Sequence, residues 1–406
     1  MMRRPVIALL TFLLAACGGK ETVSEYSASR PADLVNFQPT LSVKIAWSAQ
    51  LNRDTRRRGF NLAPVERDGK IYVAESQGRI AAYDATTGKL AWEHIIEPTL
   101  SSGLAVGDGV ILVGTEDGEV LALDSVTGAP KWRTALSSEV LAAPQLAAGK
   151  VIVGLNDGRV IALDVATGHR IWISANNVPA LSLRGIGRPV VIGERVVAGF
   201  ANGHLAAFNL HNGKRLWETT VAVSRGRSEI ERLVDVDANP LVVDGVIYSV
   251  TYQGQVAAIA LENGQILWAR DASSATDIAV DDQHVYFSDS SGELWALDRK
   301  SGATYWRQDK LHGRSITAPA RWGEYVVVGD FEGYVHWMAR SDGHFVARTR
   351  MIDADRKAVV AGKVYLPEDD TGIDAKRPIR IAPLAGTQSL YLRDENGVLV
   401  AYQIGS

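Results

Sequence analysis

Eight histidines, His94, His169, His204, His211, His284, His312, His336 and His344, are scattered along the chain with no His-Glu-x-x-His pair. The single cysteine, Cys17, excludes an internal disulfide, a Cys-based zinc site and an iron–sulfur cluster. His204 and His211 fall in one hairpin unit, but two ligands on a turn make a poor metal site. The chain has no G-x-S-x-G nucleophile elbow and no P-loop, and its glycines follow a turn period instead of a phosphate cradle. Glu368-Asp369-Asp370 lacks calcium-loop spacing and reads as a solvated turn, and Arg53, Arg56, Arg57 and Arg58 form a basic loop. A net charge of -3 supplies no overall basic field for nucleic acid.

What remains is binding chemistry, in two irregular stretches. In Leu181-Ser182-Leu183-Arg184, an extended segment puts both leucines on one face, while Arg184 can make a bidentate contact to a carboxylate. Asp235 and Asp237 share a face in the same way, and together the stretches could build a mixed apolar and charged patch. Alternatively, the leucines are core residues of an inner strand, and the aspartates close turns or pair with Arg184 or Arg232.

The elements that must position these residues follow from a repeat. Gly78 to Trp92, with Asp84, Thr87 and Gly88, aligns with Gly118 to Trp132, with Asp124, Thr127 and Gly128. Copies recur at Gly158 to Trp172, Gly203 to Trp217, Gly254 to Trp268 and Gly292 to Trp306, then at Gly333 to Ala347, where the tryptophan is lost. Opening glycines are spaced about 46 residues apart on average, a period typical of four-stranded propeller blades. Asp117-Gly118, Asp157-Gly158, Asn202-Gly203 and Asn396-Gly397 are two-residue hairpin signals between apolar strands. An eighth copy opens at Gly397 and the chain stops before its tryptophan, while Val43 to Trp47 reads as a lone last strand. The sequence therefore predicts an all-β fold over residues 42–406, a single eight-bladed β-propeller of four-stranded antiparallel blades whose last blade is closed by both termini. Residues 351–378 lengthen the final interval, and Val359 to Tyr365 around Gly362 suggest an extra surface hairpin.

Ahead of the repeat, Arg3 and Arg4 precede an apolar run from Val6 to Leu14 that is too short to span a bilayer. Leu14-Ala15-Ala16-Cys17 resembles the lipobox of bacterial lipoproteins. That resemblance implies a signal peptide over residues 1–16, lipidation of Cys17 and, with Gly18 following, sorting to the outer membrane. Residues 17–41 read as a tether.

The repeat A-x-D-x-x-T-G-x-x-x-W resembles the tryptophan-docking motif of pyrroloquinoline quinone (PQQ) dehydrogenases and their non-enzymatic relatives. The adjacent cysteines those enzymes share are missing, so the motif is expected to serve architecture, with no cofactor, no metal and no catalytic residue. Leu181-Ser-Leu-Arg184-Gly185 and Glu229-Ile-Glu-Arg-Leu-Val-Asp235-Val-Asp237, with Val327 to Trp337, resemble the BamB family of the outer-membrane β-barrel assembly machinery. The resemblance implies a scaffold lipoprotein on the periplasmic face of the outer membrane. It would bind the POTRA domains of BamA within the BAM complex through Leu181, Leu183, Arg184, Asp235 and Asp237, and assist folding of β-barrel precursors. The alternatives are a PQQ-dependent periplasmic dehydrogenase and a generic propeller adaptor of the cell envelope.

Overall fold

The computed structural model describes residues 30–51, 61–176, 187–222, 238–252, 254–351 and 377–405, with the backbone of 359–360 and 363–364. Strands pair into eight four-stranded antiparallel sheets. Blade 1 runs outward from Val65–Arg67 through Lys70–Ala74 and Arg79–Asp84 to Leu90–Ile95. Blades 2 to 7 follow with innermost strands Ala105–Gly107, Gln145–Ala147, Val190–Ile192, Leu241–Val243, Ala279–Val280 and Ala320–Trp322. Their outermost strands are Pro130–Ala135, Arg170–Ala175, Arg215–Thr220, Ile266–Ala272, Thr304–Gln308 and Phe345–Arg350. Blade 8 takes Leu384–Ala385, Leu390–Arg393 and Val398–Ile404 from the C-terminus and Val43–Gln50 from the N-terminus. Val43 pairs with Ile404 and Gln50 with Val398, across a bulge at Ile45 and Trp47. Both termini thus close one sheet, as the split repeat required. In the long final interval, Val359–Val360 pairs with Lys363–Val364 as the expected small hairpin.

Each blade is covered on both faces by its neighbours, so middle strands are buried throughout instead of alternating; Val110–Gly114 is an example. Outermost strands such as Pro130–Ala135 and Arg215–Thr220 alternate, because one side docks on the next blade and the other meets solvent.

The repeat motif makes that docking. In blade 1, Asp84 Oδ1 accepts from Thr86 N, Thr87 N and Thr87 Oγ1 and so fixes the turn; these bonds, led by the Thr87 hydroxyl, hold the carboxyl below its ordinary range. Gly88 follows at φ +69°, and a Cβ there would lie 2.6 Å from the Trp47 ring. Trp47 from blade 8 lies across that glycine and donates Nε1 to Ala85 O at 2.9 Å. Trp132, Trp172, Trp217, Trp268 and Trp306 repeat the bond on Val165, Leu210, Leu261, Arg299 and Arg340 of the following blade. At Trp92 the equivalent carbonyl, Ser125 O, accepts from Tyr72 Oη instead.

The lost tryptophan has a structural counterpart. Ala347 of blade 7 would dock on the turn between the third and fourth strands of blade 8, and there the chain is interrupted between its two ends. Gly405 N donates to Ser42 O across the gap, and Leu41, Trp337 and Tyr402 fill the interface around Ala347.

Candidate functional site: one face of the ring

Up-and-down strands put every link from one blade to the next on the same face of the ring, together with the turn between each blade's second and third strands. All four long connections, 51–64, 176–189, 221–240 and 351–383, therefore begin and end on this linker face. Leu181, Leu183, Arg184, Asp235 and Asp237 lie outside the described residues, as do Cys17, the arginine loop and Glu368 to Asp370. The structure describes the points where their connections are rooted.

The first connection leaves blade 3 at Asn176, whose N donates to Gly158 O, and returns at buried Gly187. The second leaves blade 4 at Val221 and Ala222, both bonded to Gly203 O, and returns at buried Ala238. The two return points are tied together. Arg188 N donates to Asn239 Oδ1 at 2.6 Å; Asn239 N and Nδ2 then donate to Asp277 Oδ1 and Oδ2 at 2.8 and 2.7 Å. Burial pushes the Asp277 carboxyl up, against the pull of the Asn239 bonds and the Arg188 charge. One chain of hydrogen bonds thus joins the lead-ins to blades 4, 5 and 6. Sequence reasoning did not single out Asn239 or Asp277.

A second polar cluster on this face involves the seventh-blade stretch. Asp330, fully buried, accepts from Arg314 Nε at 2.8 Å and His336 Nε2 at 2.9 Å. Arg348 Nε reaches His336 Nδ1 at 3.3 Å, so that nitrogen accepts and the imidazole is neutral. Burial lowers the His336 pKa, and the Arg348 and Arg314 charges act in the same direction. The two arginines also hold the N-terminal segment: Arg314 Nη1 donates to Ala32 O and Arg348 Nη1 to Val35 O. Phe37 stacks on Phe345 with centroids 5.5 Å apart. Residues 30–41, expected as the end of a tether, thus lie against blades 6 and 7.

His204 bonds Glu218 and His211 meets Glu194, so the hairpin histidines serve separate surface pairs. Among the described residues, no three His, Cys, Asp or Glu side chains converge as a metal would require, and no helix is long and apolar enough to cross a membrane.

Comparison with known proteins agrees with this architecture. The family model described as outer membrane protein assembly factor BamB matches residues 38–97 and 76–308. BamB of Alkalilimnicola ehrlichii is 43% identical over 99% of this chain and 97% of its own. The crystal structure of BamB from Moraxella catarrhalis superposes with a TM-score of 0.76 at 27% identity, covering 89% of this chain and 99% of that one. A quinohemoprotein alcohol dehydrogenase from Pseudomonas putida HK5 reaches a TM-score of 0.68 at 15% identity, over 90% of this chain and 77% of that one, which is a likeness of fold alone. With the family model spanning most of the ring and a full-length relative at this identity, the chain belongs to the BamB family of outer membrane protein assembly factors.

Proposed function

We propose that this assembly factor works as a non-enzymatic, lipid-anchored scaffold that holds the POTRA domains of BamA. Leu181 and Leu183 bury against a POTRA domain, while Arg184, Asp235 and Asp237 set its orientation through charge pairs. The observation that carries this reading is the rooting of both connections in successive blades, on one face, through a shared hydrogen-bond chain. No bond is made or broken; the ring contributes fixed separation. Residues 1–16 act as the export signal, and Cys17 carries the lipid that holds the ring at the periplasmic face of the outer membrane. Unfolded β-barrel precursors are then brought close to BamA, with or without direct contact to the ring.

The test is titration of residues 18–406 with the POTRA region of BamA from the same organism, beside Arg184→Glu. Saturable binding is expected, weakened at least tenfold by the charge reversal while the circular dichroism spectrum is unchanged; removing one partner of a desolvated charge pair at an interface costs about 2–5 kcal/mol. No binding at tens of micromolar, or binding indifferent to Arg184→Glu, would overturn the assignment of this face.

A further inference from the structure

Superposing the repeats brings out a position that the family motif does not include. Two residues before each inner strand, blades 1, 2, 3, 7 and 8 carry Ala63, Gly103, Ala143, Ala318 and Ala382. These small residues offer no side-chain bond to their neighbours. In blades 4, 5 and 6 the same position holds Arg188, Asn239 and Asp277. The polar replacements are consecutive around the ring, and Arg188 and Asn239 stand where two of the long connections return. They are also joined to one another: Asn239 takes the Arg188 backbone proton on its amide oxygen and gives its backbone N–H and its side-chain amide to the two oxygens of Asp277.

The chemistry is that of a clamp. The backbone N–H and the side-chain amide of Asn239 both reach one carboxylate, which fixes distance and angle together, as a single bond would not. Asp277 sits on a short link, 273–278, between Ile266–Ala272 and Ala279–Val280, so it forms the end with the least chain to displace. Asn239 is one residue past Ala238, where the described chain resumes after the second connection, and Arg188 is one past Gly187, where it resumes after the first. The clamp therefore transmits the position of blade 6 to both return points.

We propose that Asn239 and Asp277 are positioning residues for partner binding, which set the separation of the two connections without touching the partner. The inference rests on the scaffold reading above. Its core prediction is that breaking the clamp weakens the partner while leaving the ring folded.

The experiment uses residues 18–406, whose ring is closed by residues 43–50 and 398–404, with the BamA POTRA region as probe and Arg184→Glu as reference. Amide exchange is followed by mass spectrometry in peptides covering 187–190 and 238–241. Asn239→Ala is expected to speed exchange there, to lower POTRA affinity about 3- to 30-fold, and to leave the melting temperature close to the parent's. The double variant Asn239→Asp with Asp277→Asn reverses the roles of donor and acceptor, and should restore protection and affinity together. A variant that merely damaged the fold would not be rescued in this way. If Arg184→Glu weakens binding but Asn239→Ala changes neither exchange nor affinity, the positioning role is overturned; faster exchange at unchanged affinity overturns it equally. If the parent does not bind, the scaffold reading fails and the binding role falls with it, while the exchange data still decide whether the clamp holds the two return points.

Discussion

At Gly168 the repeat motif can be read as two devices sharing one turn. Asp164 Oδ1 accepts from Ala166 N, Thr167 N and Thr167 Oγ1, which closes the turn from within. Gly168, at φ +71°, then leaves its outer surface bare for Trp132 of the preceding blade, whose ring would be 2.6 Å from a Cβ. Thr134 beside that tryptophan donates to Gly168 O at 2.8 Å. Gly168→Ala therefore meets a backbone penalty and a clash with the Trp132 ring. A loss of about 2–4 kcal/mol is expected, read as a lower urea midpoint followed by tryptophan fluorescence. The motif letters were legible in the sequence; that each tryptophan belongs to the next blade's glycine was not, because the contact spans a blade interface.

Among the elements, the N-terminal segment departs most from its expected character. Residues 17–41 read as a tether, and nothing local marks Val35 or Phe37 as partly buried anchors. The tertiary structure packs them on an apolar cluster shared by blades 6 and 7, with Arg314 and Arg348 donating to Ala32 O and Val35 O and the Phe345 ring against Phe37. The cluster behind the segment is sensitive to acid. His336 takes a proton less readily in the folded protein than its ordinary 6.5, because it is buried with Asp330 on Nε2, Arg348 on Nδ1 and the Arg314 charge nearby. The unfolded chain thus binds protons first as pH falls through 6.5, and stability drops with it; the Asp330 contribution, with its pKa lowered in the folded state, is lost only below about pH 4. Thermal unfolding between pH 7 and 5 is expected to show this decline, with a flatter profile in His336→Gln, which keeps a donor toward Asp330 but does not titrate.

For the whole molecule, the decisive feature is closure. Val43–Gln50 supplies both a full register of backbone bonds to Val398–Ile404 and the first docking tryptophan, Trp47. Removing residues 43–50 would leave Val398–Ile404 as an unpaired, strongly apolar edge and strip blade 1 of its dock. Light scattering after size exclusion is expected to show oligomers formed by edge pairing, and denaturant unfolding should lose cooperativity. A monomer with an unchanged transition would mean that closure contributes little.

Seven copies of the repeat, their period and the half-repeats at the two ends determined an eight-bladed closed ring, because each copy states a local turn and a strand boundary. The missing tryptophan at Ala347 was visible in the same way, but its reason was not: the turn it would meet does not exist, since blade 8 is assembled from both ends of the chain. The candidate partner residues were likewise legible as irregularities between blades. What only the tertiary structure decided was their frame, namely that the long connections share one face and that Asn239 and Asp277 fasten the return points of two of them. Residues 38 positions apart carry no local signal of a hydrogen bond. The period of the repeat fixes how many blades there are, whereas contacts between blades depend on ring closure, which brings distant turns side by side.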